Sequence, residues 1–178
     1  MGTVFRLFRT GAHLWSSGTV LVTAVSFAFL QGNQPMTASP ETVDAMYAEY
    51  SREFPNVKDI TVDELLSLNG HNVVLVDVRT SAERAISTIP GSISVAEYES
   101  RHEQFTNSLI VPFCTIGYRS GVFAQNVSGN GHCVQNLRGG ILAWCHAGQS
   151  VSGAGRSGNV HVYGRRWNLL PDGYQGVW

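Results

Sequence analysis

The segment Cys114-Thr115-Ile116-Gly117-Tyr118-Arg119-Ser120 places a thiol, a glycine and a guanidinium within seven consecutive positions. Leu109 to Phe113 ahead of it reads as a strand, and Tyr118 to Ser128 behind it as a helix. Cys114 therefore stands at the carboxyl end of a strand, where ligands gather in open α/β sheets. The first N–H groups of a helix have no intrahelical partner, and with the positive dipole end they favour a thiolate. Arg119 adds a permanent charge and a planar donor fork. Gly117 permits the tight curl that turns successive N–H groups inward. The chemistry implied is nucleophilic attack by Cys114 on an anionic or electron-poor centre held in that nest. Taken alone, Cys114 reads as a buried cysteine in a β–α turn; the company of Gly117 and Arg119 decides for chemistry.

Other elements must carry this loop. Ser39-Pro40-Glu41 is a helix start, with a capping hydroxyl, a first-turn proline and an early acid. Val43, Met46, Tyr47, Tyr50 and Phe54 follow as one apolar stripe, read as core. Thr61-Val62-Asp63-Glu64 is a capping box, and Asn69-Gly70 closes its helix. Val73 to Val78 is a run without alternation, the pattern of a strand covered on both faces. Cys133 to Leu137 reads as another strand, Ile93 as part of a short one, and Tyr98 to Phe105 as a helix. Strands separated by crossover helices predict an α/β domain. Pro112 removes one ladder donor, so its strand is either interrupted or unpaired on that side.

The 178 residues suit one domain with a leader or tail. Hydrophobic residues at 43% and charged ones at 14% exclude a disordered, collagenous or coiled-coil chain. A net charge of -1 gives no global attraction to nucleic acid, and no nucleic-acid partner is expected. Charge is nevertheless uneven, because Arg6 and Arg9 precede the first acid, Glu41. With an apolar run from Val20 to Leu30, residues 1 to 38 read as a leader directing the chain to an organelle, mitochondrion or plastid. A secretory or periplasmic signal and a membrane anchor are the alternatives; Ser16, Ser17, Thr19, Thr23 and Ser26 dilute the anchor. The domain is expected over 39–150, opened by a leading helix at 39–54. A Gly/Ser linker and aromatic tail should follow over 151–178.

Cys114-x-x-Gly117-x-Arg119-Ser120 resembles the active-site loop of rhodanese-like sulfurtransferases. Asp77-Val78-Arg79, with Glu83 and then Ile89-Pro90-Gly91-Ser92-Ile93, is similar to the family's first signature. Asn136 to Trp144 resembles its closing strand–turn–helix. The resemblance covers roughly residues 55 to 150 and implies a three-layer domain around a mainly parallel sheet with helices on both faces. It implies a Cys114 persulfide that takes sulfur from a donor such as thiosulfate and passes it to cyanide or a thiol. Arg119 would bind the anionic donor, and the N–H groups of Thr115, Ile116, Gly117, Tyr118 and Ser120 would hold the bound sulfur. Asp77, Arg79 and Glu83 would brace the sheet end, and no metal or organic cofactor is implied. The chain departs from the pattern at Ser87-Thr88, where glycine and histidine are usual, and at Arg84, where an aromatic is usual. The alternatives are a cysteine-dependent phosphatase or arsenate reductase on the same fold, and a non-catalytic interaction module. Phosphatases of this kind carry one more residue than the four between Cys114 and Arg119.

Other motifs read as structure. Gly153 to Gly158 spells a dinucleotide pattern, but a strand-like Val160 to Tyr163 follows where a helix is required. His132-Cys133 and Cys145-His146 lack the short Cys-x-x-Cys spacing of a zinc site and read as packing. A resolving role for Cys133 or Cys145 depends on distances. Tyr163, Arg165, Arg166, Trp167, Tyr174 and Trp178 mix basic and aromatic groups, and docking on the domain is the expectation.

Overall fold

The computed structural model describes residues 38–68, 72–128 and 132–178. Residues 1–37 of the expected leader, and the expected helix stop at Asn69 and Gly70, lie outside the described residues. Among the described residues no helix is long and apolar enough to cross a membrane.

Helix α1 (Pro40–Tyr50) starts where the Ser39 hydroxyl accepts the Thr42 N–H at 3.2 Å, and it buries Val43, Met46 and Tyr47. A 3-10 turn, Ser51–Glu53, then leads to buried Phe54. The elements β1 (Lys58–Ile60), α2 (Val62–Ser67), β2 (Val73–Asp77), α3 (Ser81–Ile86) and β3 (Ile93–Ser94) follow. The chain continues through α4 (Val95–Arg101), β4 (Leu109–Phe113), α5 (Tyr118–Ser128), β5 (Cys133–Leu137) and α6 (Gly140–His146). Thr61 and Glu64 form the capping box of α2. The same spacing caps α3 through Thr80 and Glu83, and α4 through Ser94 and Glu97. Periodicity alone overlooked α3 and began the next helix at Tyr98; its true start is Val95, and Phe105 ends a separate 3-10 turn. Strand β1 was also unexpected, being three residues long and opening with two charges.

Five parallel strands form the sheet in the order β1-β5-β4-β2-β3. Side chains along β4 alternate between its faces. Val111 and Phe113 pack with α1, α2 and α6, whereas Ile110 packs with Tyr98 of α4 and Ala124 of α5. Helices thus cover both faces, which is why β4 and β2 up to Val76 are continuously apolar. Pro112 lies within an unbroken β4, opposite Val76. The Phe113 carbonyl accepts the Val78 N–H beyond β2, so the N–H that Pro112 lacks would face β5. Pairing of β4 with β5 stops at Ile110, two residues before Pro112, so the missing donor leaves no ladder bond unmade.

Residues 151–178 are part of this fold, which corrects their reading as linker and tail. Strands β6 (Asn159–His161) and β7 (Gln175–Val177) pair in parallel. Val160, Val162, Leu169 and Leu170 are buried in the same core cluster as α1, α2 and α6. The Ala154 and Gly155 N–H groups donate to Ala85 and Ile86, the last carbonyls of α3, so the glycine-rich stretch is pinned.

Candidate active site

Asp77 ends β2, and its buried carboxylate accepts three bonds from Arg79: the backbone N–H at 3.0 Å, Nε at 2.9 Å and Nη2 at 2.8 Å. The Thr88 hydroxyl adds a fourth at 2.7 Å. Arg79 in turn donates to the Ser87 carbonyl and, at 3.2 Å, to the His161 carbonyl. This fully partnered ion pair ties the sheet end to the segment that carries β6.

Glu83 belongs to the same end and has two tasks. Its Oε2 caps α3 through the Thr80 N–H and hydroxyl, at 3.0 and 2.9 Å. Both carboxylate oxygens also accept from Arg119, at 2.7 Å from Nη2 and 3.0 Å from Nη1. Burial pushes the Glu83 carboxyl up, but the Arg119 and Thr80 hydrogen bonds outweigh it and hold the pKa at about 2. Burial works against the Arg119 charge, yet Glu83 and Cys114 beside it raise its pKa further.

Cys114 follows β4 directly and is 1% exposed. Its Sγ accepts the Gly117 N–H at 3.2 Å, so the loop curls back onto the sulfur. Gly117 has φ +106, and a Cβ there would lie 2.5 Å from the Tyr47 ring. Asn136 at the end of β5 donates to both the Gly117 carbonyl and the Tyr47 hydroxyl, each at 2.9 Å. Tyr47 donates onward to Asp59. The Cys114 and Thr115 carbonyls accept from Ile141 and Leu142 in α6. Tyr118, Arg119 and Ser120 form the first turn of α5, whose N–H groups have no intrahelical acceptor. The buried hydroxyls of Thr115 and Ser120 also have no protein partner.

The loop opens into a cavity of about 290 Å³ lined by Tyr50, Cys114, Thr115, Ile116, Tyr118, Arg119, Tyr163 and Trp167. Tyr50 read as core stripe from the sequence, and Tyr163 and Trp167 as docking aromatics. Their place here follows from chain folding, and the basic–aromatic mixture around Arg165 was the one signal. A larger groove, about 580 Å³, lies elsewhere between Asp44, Asp63 and His146 and holds no cysteine.

The other cysteines stand apart. Cys133 is exposed at the start of β5, opposite Leu109. That is five residues before Cys114, or roughly 16 Å along the strand, beyond disulfide reach. Cys145 is buried in α6, and burial pushes its thiol up to about 12. His146 Nε2 meets the Leu169 carbonyl at 2.8 Å, and the His132 ring packs against Tyr98. Among the described residues no three metal-ligating side chains converge.

A family model described as the rhodanese-like domain matches residues 61–147, the span from the α2 cap to the end of α6. Residues 61–147 are a rhodanese-like domain. A thiosulfate sulfurtransferase from Pseudomonas aeruginosa superposes on this chain with a TM-score of 0.53 at 25% identity, over 62% of this chain and 23% of that one. This chain thus spans less than a quarter of that protein's length. A rhodanese-like domain protein from Staphylococcus aureus is 29% identical, with a TM-score of 0.46, over 55% of this chain and 98% of that one. A Rhodopseudomonas palustris protein of unknown function, described as a possible tyrosine phosphatase, is 25% identical with a TM-score of 0.47, over 67% of this chain and 100% of that one. No curated protein sequence matches the chain. Both Tyr163 and Trp167 lie beyond the matched rhodanese-like span.

Proposed function

We propose that this chain is a sulfurtransferase in which Cys114 carries a sulfane sulfur as a persulfide. The observation that supports this best is Cys114 lining a small cavity while a loop N–H is already donated to its sulfur. In the first half-reaction the thiolate attacks the outer sulfur of a donor such as thiosulfate. The donor S–S bond breaks, sulfite leaves with the electron pair, and Cys114 becomes the persulfide anion. In the second half, cyanide or a thiolate attacks the outer sulfur, leaves as thiocyanate or a new persulfide, and restores the Cys114 thiolate. The N–H groups of the first turn of α5 and the unpartnered hydroxyls of Thr115 and Ser120 are donors for the added sulfur. Arg119 uses one N–H of each terminal nitrogen on Glu83, which leaves the others to meet a donor anion.

The loop length favours sulfur over phosphoryl transfer. With four residues between Cys114 and Arg119, the Gly117 N–H is drawn to 3.2 Å from the sulfur. Such a nest suits one added sulfur atom and crowds a tetrahedral phosphoryl group. The deciding experiment is intact mass after incubation with thiosulfate. A gain of one sulfur on Cys114, reversed by cyanide, is expected. Cys114-dependent hydrolysis of aryl phosphates without that gain would overturn the proposal.

A further inference from the structure

The cavity beside Cys114 has a volume of about 290 Å³, near the lower bound of roughly 300 Å³ for small-molecule pockets. An inorganic anion such as thiosulfate leaves most of it unfilled. Four aromatic rings line it. Tyr50 and Tyr118 stand 5.4 Å apart between centroids, and Tyr163 meets Trp167 edge to face at 5.1 Å and 88°. Among the described lining residues Arg119 alone is charged, and both oxygens of Glu83 already face it. Its guanidinium lies 5.2 Å from the Tyr163 ring, so the charged end and the aromatic wall of the cavity adjoin.

The wall is held in place. Tyr163 directly follows buried Val162, whose N–H donates to the Val177 carbonyl at 2.8 Å. Trp167 closes a 3-10 turn, Arg165–Trp167, shortly before buried Leu169. With the backbone anchored beside both residues and the two rings packed edge to face on each other, they lose little freedom when a flat ligand stacks on them. A dianion meets a cation already paired with the ionised Glu83 carboxylate, whereas a singly charged donor with an apolar body meets both the cation and the aromatic wall.

Resting on the sulfurtransferase reading, we propose that Tyr163 and Trp167 are specificity-determining residues that select an organic sulfane-sulfur donor with one negative charge and a flat apolar body, of the aryl thiosulfonate class. The Cys114 thiolate attacks the terminal sulfur, the S–S bond breaks, and the aryl sulfinate leaves with the electron pair. The persulfide formed is the same as with thiosulfate.

The test uses benzenethiosulfonate and methanethiosulfonate as donors and cyanide as acceptor with the full chain. In a ping-pong cycle kcat/KM for the donor reports the first half-reaction alone. The ratio of the two kcat/KM values is measured in the wild type, Tyr163→Ala, Trp167→Ala and Trp167→Phe. Leaving-group differences between the donors cancel when one ratio is compared across enzymes. The aryl preference is expected to fall roughly three- to ten-fold in each alanine variant and to persist in Trp167→Phe. Tyr163 is 62% exposed, so its variant keeps the test valid should Trp167→Ala disturb the turn. An unchanged ratio in Tyr163→Ala overturns the inference while the persulfide chemistry stands. Failure of every donor to add sulfur to Cys114 overturns the sulfurtransferase reading itself.

Discussion

Arg119 sits in a two-point grip from Glu83, with Nη2 at 2.7 Å and Nη1 at 3.0 Å from the two carboxylate oxygens. The residue that caps α3 therefore also aims the cation at the Cys114 loop. Because the folded pKa of Glu83 lies at about 2, below its ordinary 4.5, its contribution is fully present above pH 4.5. It is lost as the pH falls toward 2. Glu83→Gln is expected to cost about 2 kcal/mol at neutral pH, the range of hydrogen bonds to charged groups. Urea denaturation against pH should show the two proteins converging between pH 4.5 and 2.

Cys114→Ser should abolish thiocyanate formation, because a hydroxyl cannot carry a sulfane sulfur. Cys133→Ser and Cys145→Ala should keep most turnover. Cys133 lies at the far end of the sheet, and Cys145 stays a neutral thiol with its pKa near 12. A loss at Cys133 or Cys145 equal to that at Cys114 would contradict a single-cysteine cycle.

Gly117→Ala should both destabilise the domain and impair the loop. Its φ of +106 disfavours any side chain, and the new methyl would meet the Tyr47 ring at 2.5 Å. A cost of about 2 kcal/mol or more is expected from backbone strain and overpacking together. Thermal unfolding measures the first effect and thiosulfate-dependent mass gain the second; full retention of both would show that the loop can rearrange.

Arg79→Met removes one member of a buried pair and leaves the Asp77 carboxylate only the backbone N–H at position 79, the Thr88 hydroxyl and the more distant Arg84, 3.9 Å away. Loss of about 3 kcal/mol is expected by urea denaturation, because the buried charge keeps only a distant cation. Arg79→Met with Asp77→Leu should recover part of that loss, since no charge is then left unpaired.

A chain ending at residue 150 should not fold cooperatively. Val160, Val162, Leu169 and Leu170 leave the core, at a cost of roughly 6 kcal/mol or more, and Arg79 loses the His161 carbonyl. That is comparable with the whole stability of an ordinary domain, about 5 to 15 kcal/mol. A cooperative calorimetric transition in the shortened chain would show that the matched domain is self-sufficient.

By itself the sequence determined whatever depends on near neighbours. The Thr61–Glu64 capping box, the apolar run of β2 and the junction carrying Cys114, Gly117 and Arg119 are all set within a few residues. The boxes at Thr80–Glu83 and Ser94–Glu97 were equally legible, though apolar periodicity drew attention elsewhere. Tertiary structure decided the partners that lie far along the chain. It gave Arg119 to Glu83, set the Asn136 amide beneath Gly117, and brought the His161 carbonyl to Arg79 across 82 residues. It also turned Tyr163 and Trp167 from terminal aromatics into a wall of the Cys114 cavity. Local hydrogen bonds are encoded by spacing, but a contact between distant residues exists only after the core has buried the elements that carry them. Val160 and Val162 look like any short apolar run until α1, α2 and α6 supply the surface against which they pack.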